Sequence, residues 1–336
     1  NEATFYGRNT VFSNIGFDTF CSMEYMNGLT DSPNGWSNDD VLSREIMKTL
    51  DSTSGPDFTM AITVQSHGKY DGIALDDPTI KVTGAPEGKE QAYEYYVNEI
   101  HEVDRMIDTL IKELSNRKEE TVLVLYGDHL PSLDIQKDDL SNANLYQTQY
   151  VVWDNMNLKK KTKNLHAYQL YAEVLDRIQI HEGMITKYHQ QTKHRSKLYL
   201  TGLTTLSYDL LYGDNYAYDG ENPFKQTELQ MGTEPVKLTS VQKTKSGYRV
   251  VGSGFTPYCK VYYDGTLVES EWISSECLQL QDEFELDEAD KKDSGEPETE
   301  VTEPRDVPNA FVVEVQSDDG VVLSSTQAYP ASQVKK

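Results

Sequence analysis

The sequence predicts an α/β region followed by an all-β sandwich. Three observations support this: two apolar runs that each end in a polar turn with a histidine, an amphipathic stretch between them, and a change near residue 236 to short alternating runs. A chain of 336 residues is long enough for two domains. We therefore predict domains over residues 1–235 and 236–336.

The first domain shows the pattern of a mainly parallel sheet. Residues 121–126 and 58–64 are short apolar runs that predict buried strands, and residues 150–155 predict a further strand. Between the first two, residues 91–117 carry apolar side chains three and four positions apart, which predicts a helix. A second amphipathic helix is predicted over residues 167–180. A helix between two buried strands indicates a parallel sheet.

Candidate site residues follow the two strands. Asp128 and His129 come directly after residues 121–126, and His67 follows residues 58–64. Parallel strands carry their carboxyl ends to one edge of the sheet, where α/β proteins bind ligands. A carboxylate and imidazoles there can bind a divalent metal. Alternatively, Asp128 caps a turn and His129 is a solvated histidine.

The other histidines lie outside this strand-end context. We predict that they are structural or solvated residues, namely His166, His181, His189 and His194.

The second domain has strand and turn patterns without a helical period. Asp264-Gly265 and Asp319-Gly320 lie between apolar runs and predict type I′ hairpins. Residues 282–306 hold twelve acidic and three basic residues, so we predict a solvated loop insertion there. About 100 residues of such short runs indicate a small β-sandwich.

Composition narrows the class of protein. The net charge of −24 opposes binding to nucleic acid or to an anionic membrane surface. Three cysteines give neither a disulfide framework nor a metal knuckle. There is no signal peptide and no apolar stretch of the ~18 to 20 residues that cross a bilayer. Because the sequence begins at Asn1 without Met, we expect it to be a fragment.

Several motifs together resemble a known family. "YGDH" and "SHG" after buried runs, the opening "ATFYGRNTVFSNIGFDTF", and "YQLYAEVLDRI" and "LSYDLLYGDNY" resemble the lipoteichoic acid synthase and phosphoglycerol transferase branch of the alkaline phosphatase and sulfatase superfamily. The resemblance covers residues 1 to about 235 and implies the C-terminal part of the catalytic domain. The β region is similar to the Ig-like modules that follow such domains.

The resemblance implies roles for individual residues. Asp128 and His129 would be two ligands of a Mn²⁺ or Mg²⁺ ion, and His67 would contact the phosphate or assist the leaving oxygen. Arg8 would bind the phosphoglycerol phosphate through its guanidinium fork. Tyr6 stands where family members often carry a Trp beside the glycerol, and Asn1 would be a further substrate contact.

The resemblance also implies what this chain lacks. The family's threonine nucleophile and a further acidic metal ligand lie before the Arg8 motif and would precede Asn1, as would membrane-anchoring helices. The intact protein would move a phosphoglycerol head group from a lipid through a phosphothreonine. Its partner would be the phosphoglycerol lipid head group or a teichoic-acid-like polymer. It would act at the extracellular face of a bacterial membrane or after release by cleavage. The present chain alone is expected to be inactive.

Two alternatives stay open. The first is a cell-surface module that binds glycan or protein, with Tyr262, Tyr263 and Trp272 as stacking aromatics. The second is a hydrolase of sulfate or phosphoethanolamine esters from a neighbouring branch, because the whole superfamily uses an Asp-His pair at this position. The sequence decides neither the metal nor the acceptor.

Overall fold

The computed structural model describes residues 1–281, 284–286 and 303–335. The chain divides into two compact units. One comprises residues 1–117, 126–150 and 227–336, and the other comprises residues 118–125 and 151–226. These units differ from the domains predicted at residue 235, and that division stays a prediction.

Six α-helices form in the described part of the chain. They are α1 Arg8–Asn14, α2 Leu42–Asp51, α3 Glu90–Asn116, α4 Ala167–Arg177, α5 Met184–Gln191 and α6 Tyr199–Tyr212. The two predicted helices correspond to α3 and α4. Helix α3 buries one face, which includes Tyr95, Met106, Leu110 and Leu114. A helix buried on one face carries apolar residues three and four positions apart, and this spacing predicted the helix. Within the described residues, no helix combines the length and apolar character needed to cross a membrane.

Four short strands precede the β-rich region. They are β1 Thr19–Phe20, β2 Val122–Tyr126, β3 Tyr150–Asp154 and β4 Gln230–Met231. Strand β1 pairs in parallel with β4, and β2 pairs with β3 in a second two-stranded sheet. The predictions of strands at 121–126 and from residue 150 are therefore confirmed.

The predicted strand over residues 58–64 is wrong. The segment carries no helix or strand, and Phe58, Met60 and Ile62 are exposed. The alternating apolar residues indicated a strand, but a strand also needs a hydrogen-bonded neighbour, and periodicity in one segment does not identify one.

The C-terminal region is a β-sandwich. Its strands are β5 Lys237–Thr244, β6 Gly247–Ser253, β7 Cys259–Tyr263, β8 Thr266–Val268, β9 Ser270–Ser274, β10 Cys277–Leu280, β11 Ala310–Gln316, β12 Val322–Ser325 and β13 Tyr329–Pro330. One antiparallel sheet has the order β5-β6-β10-β9, and the other has the order β12-β11-β7-β8 with β13 also paired to β11.

Both sheets contribute to one apolar core. Tyr248 and Leu278 from the first sheet, with Phe311 and Val313 from the second, are at most 1% exposed and belong to one cluster. The predicted combination of an α/β region and an all-β sandwich is thus confirmed.

The two predicted hairpins differ. Asp264 and Gly265 both have positive φ, 48° and 72°, as a type I′ turn between β7 and β8 requires. In the second, Gly320 alone has positive φ, and residues 317–321 form a longer loop closed by the Ser317 hydroxyl and the Val321 N–H. The type I′ prediction is therefore wrong at Asp319-Gly320. The predicted acidic insertion lies mostly outside the described residues.

Candidate active site

The turn after β2 presents a carboxylate and an imidazole to solvent. The Asp128 carboxylate accepts the His129 N–H at 2.9 Å, and its Oδ1 lies 3.6 Å from His129 Nε2. His129 Nδ1 lies 2.8 Å from the Leu130 carbonyl oxygen. Because a carbonyl only accepts, Nδ1 carries a proton, and in the neutral ring Nε2 keeps a free lone pair. Both side chains are more than half exposed, so they are accessible to a ligand.

His67 has the same tautomer and lies close to His129. Its Nδ1 donates to the Gly68 carbonyl oxygen at 2.8 Å, which leaves Nε2 with a lone pair. The ring centroids of His67 and His129 are 6.2 Å apart. The edge of the Trp36 ring system packs against His67 at a centroid distance of 5.1 Å. The structure therefore gathers His67, Asp128 and His129, although the strand predicted before His67 is absent.

Residues 34–39 hold the His67 loop in place. Asn34 Nδ2 donates to the His67 carbonyl oxygen at 3.0 Å, and Trp36 Nε1 donates to the Gly68 carbonyl oxygen at 3.2 Å. The buried Asp39 carboxylate accepts N–H groups from Val64 and Gln65. Sequence reasoning missed these supporting residues, since "NGWSND" looks like an ordinary turn and its partners are about 25 to 33 residues away.

Burial of Asp39 has an electrostatic consequence. Removal from water raises the pKa of the Asp39 carboxyl, although the N–H groups of Val64 and Gln65 act in the opposite direction. The two backbone donors favour the ionised form, which is the form that binds the loop.

The two histidine loops also touch each other. A Cβ placed on Gly68 would lie 3.0 Å from both Cβ and Oγ of Ser132. Such an approach accommodates only glycine without movement. Tyr70 and Leu133, which follow the two loops, are buried together with Tyr95 of α3 in one small core. Helix α3 is therefore the common support of both loops.

The three residues expected to bind substrate lie at the start of the chain. Arg8 is the first residue of α1, with Cζ 5.2 Å from the Phe5 ring centroid, and burial lowers the pKa of its guanidinium. Tyr6 is 84% exposed. The carbonyl oxygen of Asn1 accepts the Met23 N–H, and the buried Glu24 carboxylate accepts the Ala3 N–H.

Arg8 and Tyr6 make no direct contact with the histidine pair. Across the described ranges, neither Arg8 nor Tyr6 makes a hydrogen bond, ion pair or ring contact with His67, Asp128 or His129. The roles of Asn1, Tyr6 and Arg8 therefore remain predictions.

The donor chemistry suits a divalent metal only in part. Asp128 and His129 offer an oxygen and a nitrogen of the types that such ions bind, and each Nδ1–H bond to a carbonyl orients a ring as in metal sites. Within residues 1–281, 284–286 and 303–335, no group of three or more His, Cys, Asp or Glu side chains could hold an ion. The described residues thus supply two predicted ligands and not a full coordination shell.

Among the four histidines predicted to be structural or solvated, His189 is buried and not solvated. His189 is 5% exposed, and its Nδ1 lies 2.6 Å from the Tyr199 hydroxyl. The sequence predicted no helix over Met184–Gln191, so it gave no buried face on which His189 could be placed.

The aromatic residues considered for glycan stacking are occupied within the sandwich. Tyr263 packs on Phe311 at a centroid distance of 4.7 Å, and Trp272 Nε1 donates to the Phe255 carbonyl oxygen. The Arg305 guanidinium covers the Tyr262 ring at 4.0 Å. These contacts stabilise the fold and do not form an open platform.

Comparison with known proteins gives three findings. A family model described as Sulfatase matches residues 1–180, which include Arg8, His67, Asp128 and His129. A Rhizobium meliloti (strain 1021) protein named "Putative cyclic beta-1,2-glucan modification protein" is 31% identical over 178 residues, or 48% of this chain and 27% of that protein. The chain thus spans about a quarter of that curated relative. Streptococcus pyogenes phosphoglycerol transferase GacH in complex with sn-glycerol-1-phosphate is similar with a TM-score of 0.49 and 19% identity, over 68% of this chain and 63% of that one.

Proposed function

This chain belongs to the sulfatase family, and on that premise we propose that it carries part of the active site of a metal-dependent phosphoglycerol transferase. Members of the superfamily typically use a divalent metal. In the proposal, Asp128 and His129 are two of its ligands, and the metal is Mn²⁺ or Mg²⁺. When bound, such an ion offsets charge on phosphoryl oxygens.

The observation that carries the proposal is the pairing of two imidazoles. His67 and His129 have ring centroids 6.2 Å apart, and the Nδ1 of each donates to a carbonyl, so the neutral form of each ring has its lone pair on Nε2. One neutral imidazole can then bind a metal while the other accepts a proton from an alcohol or phosphate oxygen. A turn-capping role for Asp128 gives no reason for a second histidine at this distance.

The substrate class rests on the Arg8 motif. A guanidinium forms two parallel hydrogen bonds to a phosphate, and no ion pair to a carboxylate occupies Arg8 within the described residues. We assign it to the phosphate of a phosphoglycerol head group, with Tyr6 and Asn1 beside it. The name of the Rhizobium meliloti relative concerns a cyclic glucan, which supports a carbohydrate polymer as the acceptor.

The remaining parts of the proposal concern the intact protein. It would act at the extracellular face of a bacterial membrane, or after release from it. We infer that these 336 residues alone do not turn over, because the described part of the chain provides two predicted metal ligands and no nucleophile is identified in it. Metal-dependent transfer from a phosphoglycerol lipid by this chain alone would contradict that point.

A metal titration tests the proposal that Asp128 and His129 bind a divalent metal. Mn²⁺ broadens the imidazole NMR signals of residues near its site, so we expect selective loss of the His67 and His129 signals. An Asp128→Asn, His129→Gln variant should lose the effect on His67. The control is His181→Gln, an exposed histidine bonded to Gln190. Equal broadening in the double variant would exclude the site.

A panel of ligands tests the substrate class. We expect sn-glycerol phosphate to bind more tightly than a sulfate ester or phosphoethanolamine, and Arg8→Gln to weaken it by roughly tenfold, the value of one charged hydrogen bond. The control is Arg44→Gln, whose guanidinium already pairs with Glu45. Preference for the sulfate ester or phosphoethanolamine would replace the phosphoglycerol assignment with a neighbouring ester class.

A further inference from the structure

A cavity in the unit of residues 118–125 and 151–226 is separate from the histidine pair. Its volume is about 390 Å³, which is within the usual range for small-molecule sites. Residues of α4, of α5 and of the segment after α5 line it. All of them lie between residues 163 and 195.

The cavity lies where two basic segments meet. Residues 155–172 and 183–208 contain no Asp or Glu and together hold eight Lys or Arg, in a chain whose net charge is −24. Lys163 from the first segment, and Lys193 and Arg195 from the second, line the cavity. Neither Lys193 nor Arg195 forms an ion pair with a carboxylate of the described residues. Cationic side chains concentrated at one cavity favour an anionic ligand.

Two carboxylates, those of Glu173 and Asp176, also line the cavity. The first pairs with cationic side chains, and the second is partly exposed to solvent. Glu173 accepts Lys163 Nζ at 2.5 Å and Arg177 Nε at 3.4 Å. Burial acts to raise the pKa of the Glu173 carboxyl, but Lys163 and Arg177 outweigh it and the pKa is lowered. Asp176 is about half exposed and lies 3.9 Å from His181 Nδ1. Neither carboxylate therefore neutralises Lys193 or Arg195.

The inner wall supplies an oriented donor. Gln169 Nε2 donates to the Tyr199 hydroxyl at 3.0 Å, so the hydroxyl hydrogen is free to bond His189 Nδ1 at 2.6 Å. Burial, followed by the nearby His194, lowers the pKa of His189, which favours the neutral ring. With Nδ1 accepting, Nε2 carries the hydrogen, and no other described residue hydrogen-bonds to it. A buried imidazole with a free N–H then lines a cavity of cationic groups.

We propose that this cavity binds a phosphate-type oxyanion, either the free ion or the end group of a small phosphate ester. Arg195 and Lys193 supply the charge, and His189 Nε2–H lines the site as a neutral donor. The combination of one guanidinium, one ammonium and a neutral N–H donor matches the several acceptor oxygens of a phosphate.

The test follows the His189 and His194 ring signals by NMR during titration of the whole chain with inorganic phosphate. We expect saturable shifts of both rings, and no such shifts with chloride at equal ionic strength. Arg195→Gln should weaken binding by roughly tenfold, as expected for loss of one charged contact. The matched control, Lys197→Gln, removes a charge from the same segment outside the cavity and should change affinity less than about twofold.

A second titration with sn-glycerol phosphate distinguishes the two sources of the oxyanion. Tighter binding of the ester assigns the cavity to an organic phosphate, and tighter binding of inorganic phosphate assigns it to the free ion; both support the proposal. Absence of saturable shifts would overturn it. So would an equal loss of affinity in Lys197→Gln and Arg195→Gln, because that result indicates diffuse charge attraction without a site. Arg8→Gln should not change the shifts of the His189 and His194 ring signals. This result would distinguish ligand binding in the cavity from ligand binding by Arg8.

Discussion

At the scale of single residues, Gly68 is a position where the two histidine loops approach each other closely. A methyl group there would lie 3.0 Å from the Ser132 side chain, so the loops must separate to accept it. Overpacking of this kind typically costs about 1–3 kcal/mol. We predict that Gly68→Ala lowers the melting temperature and increases the separation of His67 and His129.

A rescue experiment identifies the cause of that loss. Adding Ser132→Gly to Gly68→Ala removes both contacting atoms and should restore most of the stability, as measured by thermal unfolding. The control is Gly55→Ala, because a Cβ at Gly55 meets nothing within 4 Å. Failure of Ser132→Gly to restore stability would show that the substitution acts through backbone freedom at Gly68.

A second residue-scale prediction concerns the buried Glu99 of α3. Its Oε2 is shielded from solvent and has no hydrogen-bond partner within the described residues. Burial raises the pKa of the Glu99 carboxyl; the polar side chains of Gln65 and Tyr95 act in the opposite direction, and the carboxylates of Glu102 and Asp39 add to the rise. The folded protein therefore holds the proton more tightly than the unfolded chain does. This contribution to stability is complete below the unfolded pKa and is lost as pH rises through the folded pKa.

Glu99→Gln removes that loss because glutamine stays neutral. We predict that the variant has a higher free energy of unfolding than the wild type at pH 7 to 8, by about 1 kcal/mol. Its melting temperature should be higher at these pH values for the same reason. The difference should shrink towards zero near pH 4. Melting curves across this range test it, with Glu87→Gln as a control because Glu87 is exposed and is not among the groups that shift the pKa of Glu99. A difference independent of pH would rule out the titration of Glu99 as its cause.

At the scale of elements, α3 supports segments that have no regular structure of their own. Asn98 of α3 accepts the Ile80 N–H through Oδ1 and donates to the Ile80 carbonyl oxygen through Nδ2, both at 2.9 Å. Lys89, just before the helix, pairs with Asp71 and Asp134, which follow the two histidine loops. These side chains substitute for the strand neighbours that residues 58–82 lack.

Asn98→Asp tests this anchoring with a nearly identical shape. The carboxylate keeps the acceptor for the Ile80 N–H but loses the donor, and it sets a negative charge beside the Ile80 carbonyl oxygen. We predict a loss of about 2 kcal/mol and faster hydrogen exchange at the Ile80 amide. Gln91→Glu is the control, since it makes the same amide-to-acid change at an exposed position of the same helix. Unchanged exchange at Ile80 would mean that other contacts hold the segment.

The elements also show what the sequence could predict. Helix α3 and strand β2 were predictable because an apolar period persists along the whole helix and an apolar run fills the whole strand. The period did not give the buried face of α3 correctly, since Tyr95 and Met106 are buried there and Ile100 is exposed. The failure at residues 58–64 has a different origin, because pairing depends on a partner that the segment itself does not encode. The meeting of His67 with His129 was predictable from strand ends and turns, yet it is maintained by Asn34 and Trp36. Their side chains bond to backbone about 32 residues away, which no local pattern indicates.

At the scale of the whole molecule, charge is the dominant feature. The net charge is −24 and the calculated isoelectric point is about 4.6, while the ion pairs on the surface are mostly short-range and exposed. Exposed ion pairs contribute little to stability. Repulsion among the excess negative charges destabilises the folded state, and dissolved salt screens this repulsion. The cationic exception is the pair of segments around the cavity, at residues 155–172 and 183–208.

This imbalance predicts the direction of salt dependence. Raising sodium chloride from about 20 mM to about 500 mM shortens the Debye length from roughly 20 Å to roughly 4 Å, so we expect the melting temperature at pH 7.5 to increase. At pH 4.6 the net charge is close to zero, and the same salt step should have little effect or lower the melting temperature. Replacing chloride with phosphate at equal ionic strength should add a further increase, partly from binding to the folded state and partly because phosphate is excluded from protein surfaces in general. Arg195→Gln should lose only the part due to binding, which Lys197→Gln should keep. A fall in melting temperature with chloride at pH 7.5 would mean that local ion pairs outweigh the net repulsion.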